Sequence, residues 1–367
     1  MRTFKVFFTG DFLRLDGRVV GSDVGLDPLE LLRDVPYIEC GFLLDQKPSA
    51  DDPTYWERLY SLEIQPHHVA QANALVICRP WVKASAFADG AEDLVVIGRA
   101  GAGYDKIDLQ ACTENDVAVF NAPDTLTHST ASAAFLLMQV LLRRLPELER
   151  MVREGRWDRQ ADTIGSDLTG LTLGIVGLGF TGRELARLVA PFRMRVLAYS
   201  PHADPAQAQA LGVTLVPTLD ELLRQADVVS LHCRLTEQTR HMIGERELAL
   251  LKPTAYLINV ARGELIDEAA LVRCLREHRI AGAGLDVFEV EPLPLDSPLL
   301  TLDNVVLTPH WLPSTRQQGR LTNTLVAQGI LRAAQGLVPD NILNREVLER
   351  PRFRAKLARF AENAPRS

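Results

Sequence analysis

Three residues in the last third of the chain, Arg262, Glu291 and His310, are of types that together suit one reaction. Arg262 stands in NVARGELIDE, Glu291 in GLDVFEVEP and His310 in LTPHWLPST, each just past a short apolar run. Reduction of a 2-oxo acid needs a guanidinium to clamp the carboxylate and polarise the carbonyl, and an acid to protonate the oxygen as hydride arrives. Histidine suits that proton because it titrates near neutrality, and an adjacent carboxylate would favour its imidazolium form and fix its ring. The hydride source would sit at LTLGIVGLGFTGRELARL, where Gly177, Gly179 and Gly182 follow a strand-like run and open a helix-like one, with Phe180 and Thr181 inside the turn. Glycines there let the backbone approach a pyrophosphate, which the unpaired N–H groups and dipole of the helix attract. Close helix–strand packing alone can also demand glycine.

The elements that position these residues read as two alternating series. KVFFTG, VPYIECGF, ALVICR, LVVIGRAG and VAVFNAP, with helix-compatible segments between them, predict an α/β unit with a parallel sheet. LTLGIVG, RVLAYS, DVVSLH, AYLINV, AGAGLDVF and NVVLTPH predict a second. In parallel sheets the carboxyl ends of the strands line one crevice, so Arg262, Glu291 and His310 are expected to converge. The glycine turn comes after some 170 residues, and LTNTLVAQGILRAAQG reads as a helix that completes the first series. The expected architecture is therefore two doubly wound α/β domains, a Rossmann cofactor domain over 125–317 inserted in a flavodoxin-like substrate domain made of 1–124 and 318–367. TLTHSTASAAFLLMQVLLRRLPELERMVREG predicts a bridging helix broken only at Pro146. DQKPSADDPTYWERLYSLEIQPHH reads as a loop-rich insertion, and Phe353, Leu357 and Phe360 at helical spacing predict a docked surface helix.

Composition narrows the partners. Forty basic against 47 acidic residues give a net charge of −7, which argues against nucleic acid or an anionic membrane. The apolar run ASAAFLLMQVLL is too short to span a bilayer and no leader pattern opens the chain, so the expectation is a cytoplasmic protein acting on small molecules. The cysteines, Cys40, Cys78, Cys112, Cys233 and Cys274, are scattered without CxxC spacing and predict reduced thiols. His67 and His68 predict no metal site, because sequence neighbours face different ways and no matching ligands follow.

From ALVICR through PDNILN the chain resembles the D-isomer-specific 2-hydroxyacid dehydrogenase family. IGRAGAGYDKIDL, the glycine turn, SLHCRLTEQT, NVARGELIDE, GLDVFEVEP and LTPH carry the resemblance, in the family's order. It implies Arg262 as substrate clamp, His310 as acid/base and Glu291 as its partner. It implies cofactor contacts at the glycine turn and at Ser200, His232, Arg234 and Ala261, with Asp286 holding the nicotinamide carboxamide unless it only caps a turn. The loop Ala100, Gly101, Ala102 and Gly103 would meet the substrate carboxylate through backbone N–H groups. Arg79 and Arg99 stand where 3-phosphoglycerate dehydrogenases carry phosphate-facing arginines; the alternative is an exposed ion pair with an acid such as Asp93. A homodimer built on the cofactor domain, with the helix around 130–142 at the interface, is also implied. The same resemblance extends to nucleotide-sensing corepressors that keep the three catalytic residues, whereas formate dehydrogenases place glutamine where Glu291 stands.

Four positions depart from the pattern. Ser200 ends its strand where an acid would bind the adenosine ribose, so the cofactor stays open between NAD and NADP, with Arg234 as the cation for a 2′-phosphate or merely a loop arginine. Ser132 replaces a glutamate frequent in relatives. Trp311 follows His310 where small residues are usual, either shaping specificity or packing.

Overall fold

The computed structural model describes residues 1–364, and the chain divides into two compact units, one of Met1–Leu126 with the chain from Thr315 onward, the other of Thr127–Ser314. In the first, β1 (Phe4–Phe8), β2 (Ile38–Phe42), β3 (Ala74–Ile77), β4 (Val96–Arg99) and β5 (Ala118–Asn121) form a wholly parallel sheet in the order β2-β1-β3-β4-β5. This is the flavodoxin-like order, whose switch point lies between β1 and β3. Its inner strands are apolar on both faces because both are covered. Val76, Val96 and Phe120 pack under the helix Arg316–Ala334 through Val326, Ile330 and Ala333, while Leu75, Ile97 and Val119 face Val69, Ala111 and Cys112.

The C-terminal segment is part of this core. In the helix Pro351–Ala358 and just beyond it, Phe353, Leu357 and Phe360 are buried, and the Phe360 ring meets Phe4 edge-on at 4.8 Å. Lys356, on the same helix, donates to the carbonyls of Leu94, Asn115 and Asp116 at 3.2, 2.9 and 3.1 Å. Burial pushes its ammonium down to about 8, with the nearby Asp116 charge opposing the shift. Asn344 ties the returning chain to β5: its Oδ1 accepts from the Val119 N–H at 2.8 Å, and its Nδ2 donates to the Val117 carbonyl and Thr113 hydroxyl, both at 2.9 Å.

The second unit holds β6 (Thr172–Val176), β7 (Arg195–Tyr199), β8 (Val213–Leu215), β9 (Val228–Leu231), β10 (Tyr256–Asn259), β11 (Gly282–Leu285) and β12 (Val305–Leu307). They pair in parallel in the order β12-β11-β10-β9-β6-β7-β8, a doubly wound sheet with β6 beside the point where the order reverses. β8 is absent from the runs legible in the sequence; three residues at an edge carry too little pattern to register. The expected bridging helix is two, Thr127–Leu142 and Leu145–Arg153, and the break falls at Arg144, held at φ 51°. Pro146 then sits in the first turn of the second helix, where its missing N–H costs nothing. Pro123–Leu142 is, by length and composition, able to cross a membrane, further than the apolar run alone suggested. Its apolar side, with Ala134, Leu137, Met138 and Leu141, is instead core of this unit, packed with Ile175 and Ile258.

Asn344→Ala would leave the buried Val119 N–H and Val117 carbonyl without partners. It should destabilise the first unit by about 2–4 kcal/mol, read as a lower midpoint in urea unfolding with the slope unchanged.

Candidate active site

The glycine turn is built by contact. Gly177 has φ +96°, and a Cβ there would lie 2.6 Å from the Cys233 amide nitrogen, on the strand end beside it. A Cβ on Gly182 would collide with the Gly177 carbonyl, so the helix Phe180–Val189 closes on the turn only because both are glycine. Gly179 differs: a Cβ there meets nothing within 4 Å. The turn thus opens a space at the amino end of a ten-residue helix whose cap has no side-chain hydrogen bond, a fit for a pyrophosphate. Thr181 is half-buried and Phe180 exposed, its ring stacked with the Arg183 guanidinium at 5.1 Å.

The three chemical residues lie in the loops that follow three consecutive strands. Gly263, next to Arg262, packs so closely on the Phe288 carbonyl that a Cβ would collide with it, which brings the loops after β10 and β11 into backbone contact. Asn259 fixes Arg262 from below, donating to its carbonyl at 2.7 Å and accepting the Ala261 N–H at 3.1 Å. The Arg262 guanidinium donates to the Ala261 carbonyl at 2.7 Å. Glu291 accepts the Phe288 N–H on Oε1 at 3.2 Å, and its Oε2 lies 2.8 Å from His310 Nδ1. Burial alone would raise the Glu291 carboxyl, but the His310 hydrogen bond and charge, the Phe288 N–H and the Arg262 charge hold it below its ordinary value. With Nδ1 engaged by the carboxylate, His310 has Nε2 left to face a substrate.

Asp286 sets the backbone that presents His310. Its Oδ1 accepts from the Thr308 hydroxyl at 2.6 Å and from the Trp311 and Leu312 N–H groups at 3.1 Å each. His310, inside that turn, takes φ +50°, a left-handed conformation that costs a residue with a side chain and persists because Asp286 holds both flanks. Asp286 is therefore a turn cap, yet its other oxygen, Oδ2, is buried with no hydrogen-bond partner. Burial raises its carboxyl despite those hydrogen bonds and the His310 charge. An orphaned buried carboxylate oxygen fits an amide donor. Trp311 is 50% exposed, so its ring is not core packing.

The other cofactor candidates separate. His232 pairs with the Ser230 hydroxyl through Nε2 at 2.8 Å, and burial drives its imidazole down to about 4, so the ring is neutral beside the glycine turn. Ser200 follows β7 and Arg234 follows β9, on opposite sides of β6. Two strand spacings put the ends of their strands about 10 Å apart, with β6 and the glycine turn between. A cation the sequence did not single out, Arg183, reaches toward the Ser200 side, donating to Gln207 in the helix Pro205–Ala210 at 2.5 Å.

In the first unit, Arg79 follows β3 and Arg99 ends β4, near the switch point. The partner of Arg79 is not Asp93 but buried Asp11, which takes the Arg79 N–H at 2.8 Å and lies 3.6 Å from its guanidinium; Asp93 pairs with Arg359 at 2.9 Å. Arg79 also lies over the Tyr60 ring at 5.2 Å. Arg99 folds over Gly101, donating to the Ala100 carbonyl. In the loop expected to offer N–H groups, Ala100 donates to Ile77 and Gly101 to Arg99, both at 2.9 Å, so Ala102 and Gly103 are the better donors for a ligand.

The histidine pair corrects an expectation. His67 and His68 do converge, at 2.8 and 2.7 Å from one oxygen of Asp45. They reach it because the helix Pro66–Gln71 starts there and the rings lean together, centroids 4.0 Å apart. His68 Nδ1 accepts the Gln65 N–H at 2.9 Å, so its hydrogen sits on Nε2 toward Asp45, and the lone pair a metal would need is taken.

Comparison with known proteins gives a consistent assignment. Residues 135–311 match the family described as D-isomer specific 2-hydroxyacid dehydrogenase, NAD binding domain. A glyoxylate reductase of Korarchaeum cryptofilum is 42% identical over 264 residues, 71% of this chain and 79% of that protein. A D-3-phosphoglycerate dehydrogenase of Methanocaldococcus jannaschii is 43% identical over 254 residues, 69% of this chain, which spans only 48% of that relative's length. Among solved structures, a glyoxylate reductase from Paecilomyes thermophila has a TM-score of 0.74 at 29% identity, over 91% of this chain and 96% of that one.

Two outcomes follow from the geometry. Gly263→Ala should cost about 1–3 kcal/mol of stability by forcing the two loops apart, measurable as a lowered denaturation midpoint. Because the Glu291 carboxyl is lowered on folding, its contribution is present above the ordinary carboxylate pKa of about 4.3 and is lost as pH falls through the lower folded value. The stability gap between the native protein and Glu291→Gln should therefore shrink on acidification below pH of about 4, and a constant gap would contradict the assignment.

Proposed function

This chain belongs to the D-isomer-specific 2-hydroxyacid dehydrogenase family, and from that membership we propose that Arg262 and the His310–Glu291 pair reduce a small, unphosphorylated 2-oxo acid to its D-2-hydroxy acid. The observation that carries the assignment is the 2.8 Å contact between His310 Nδ1 and Glu291 Oε2, which orients the imidazole and leaves Nε2 for the proton. The nicotinamide cofactor, when bound, supplies the hydride. Gly177, Gly179 and Gly182 would admit its pyrophosphate, and Asp286 Oδ2 would accept from its carboxamide.

The residues then divide the work. Arg262 binds the substrate carboxylate and draws charge toward the carbonyl oxygen, so that the carbon accepts a hydride. As a C–H bond forms and the carbonyl π pair moves to oxygen, His310 Nε2 delivers its proton there, giving the 2-hydroxy acid. Glu291 stabilises the imidazolium before that transfer and keeps the ring aligned. In the oxidative direction His310 takes the proton back.

Two finer points belong to the same proposal. Arg79 already has its charge met by Asp11, which favours an unphosphorylated acid such as glyoxylate over a phosphorylated one. Ser200 removes the carboxylate that would repel a 2′-phosphate, so NADPH is expected to serve beside NADH. The chain is further proposed to pair with a second copy through its second unit, where Leu145, Val152, Trp157 and Ile164 are 51 to 78% exposed.

The test is the rate of NADH and NADPH consumption by purified protein across glyoxylate, hydroxypyruvate and phosphorylated hydroxypyruvate, with His310→Ala as the blank. Turnover on the unphosphorylated acids that falls about 10³-fold or more in the variant is the expected result. Tight cofactor binding without turnover on any acid would instead favour a nucleotide-sensing protein.

A further inference from the structure

A group that the reaction does not touch joins the loops that carry Arg234, Arg262 and Glu291. His241 lies on the loop after β9, in the left-handed region at φ +51°. Its backbone N–H donates to the Glu264 carbonyl at 2.8 Å, two residues past Arg262. Its ring nitrogen Nε2 lies against the Glu289 carboxylate, two residues before Glu291. The two groups are in close contact without the alignment of a hydrogen bond. Glu289 in turn donates its N–H to Glu268 Oε2 at 3.2 Å, at the start of the helix Glu268–Arg276. Burial raises the Glu268 carboxyl, that N–H lowers it, and the Glu289 charge raises it again, so the two acids repel across this junction. The imidazole is the group placed to offset that repulsion.

The same junction is where Gly263 presses on the Phe288 carbonyl. One residue along from that contact, His241 reaches Glu264 on one loop and Glu289 on the other, and so ties both to the loop after β9. We propose that His241 and Glu289 act together as a positioning pair, setting the separation and angle between Arg262 and the Glu291–His310 pair while touching neither substrate nor cofactor. The left-handed backbone of His241 is consistent with a residue held by its surroundings rather than by its own preference. This inference rests on the proposed roles of Arg262, Glu291 and His310.

His241 is nearly half exposed, and the Ile243 N–H to Leu265 and Asp267 N–H to Ile243 bonds, at 3.1 and 3.0 Å, hold the loop without its ring, so truncation should fold. The experiment compares His241→Ala, Glu289→Ala, the double variant and Arg262→Gln. It reads kcat and KM for the best 2-oxo acid, the Kd for NADH by fluorescence, and the melting temperature. Each single variant should lose about tenfold to a hundredfold in kcat/KM, with KM for the oxo acid raised. NADH affinity and melting temperature should stay near those of the native protein. The double variant should lose no more than the worse single, since both changes break one tie. Native kinetics in His241→Ala beside a crippled Arg262→Gln would overturn the positioning pair alone, as would losses that multiply in the double variant or that track NADH affinity. An Arg262→Gln as active as the native protein would overturn the clamp assignment and the pair with it.

Discussion

The seven strands of the second unit all run in one direction, and that direction decides where its chemistry sits. Leu257, Ala283 and Val305 lie side by side in register, so the loops after β10, β11 and β12 leave the sheet at one edge. Arg262, Glu291 and His310 come from those three loops. Residues 29 and 19 positions apart in sequence are thereby set within reach of one another without any long-range loop having to find its place. The loop after β6 leaves at the same edge, which puts the glycine turn and the acid/base pair on one side of the sheet. A mixed sheet would have divided them between two edges.

What the strands leave unfixed, buried polar groups fix. Asp286 gathers Thr308, Trp311 and Leu312 onto one oxygen and so bends the backbone that carries His310. Asn259 does the same for Arg262 from the end of β10. Each is a fully buried side chain at a strand terminus, where the ladder stops and backbone groups need other partners. The loops are irregular in shape but have few ways to satisfy their hydrogen bonds.

Much of this was legible in the sequence, and the limits are physical. Eleven of the twelve strands among the described residues stand out because buried parallel strands are continuous apolar runs closed by turn residues. The three chemical residues could be read because each follows such a run. Apart from the Glu291–His310 pair, which the motifs announced and the structure brings to 2.8 Å, pairings between side chains were not readable. Asp11 rather than Asp93 meets Arg79 because the ends of β1 and β3 are neighbours, a fact of sheet order that charge spacing does not encode. His67 and His68 should diverge by about 100° on a helix, yet at its first turn both rings swing to one carboxylate. His241 and Glu289 are partly exposed loop residues with no periodicity to mark them, and only the folded loops show what they join.

The first unit is assembled from two stretches of chain separated by the whole of the second. Arg2 and Asn363 exchange hydrogen bonds across 361 positions, and the long helix that covers β3, β4 and β5 begins at Arg316. On a ribosome the order of synthesis is therefore the reverse of the order of completion. The strands β1 to β5 emerge first but must wait, with one apolar face uncovered, while the continuous second unit is made and can close on itself. During that interval the nascent sheet is the part of the molecule most exposed to wrong partners. A chaperone that binds apolar strands early in synthesis would shield this sheet rather than the dinucleotide fold.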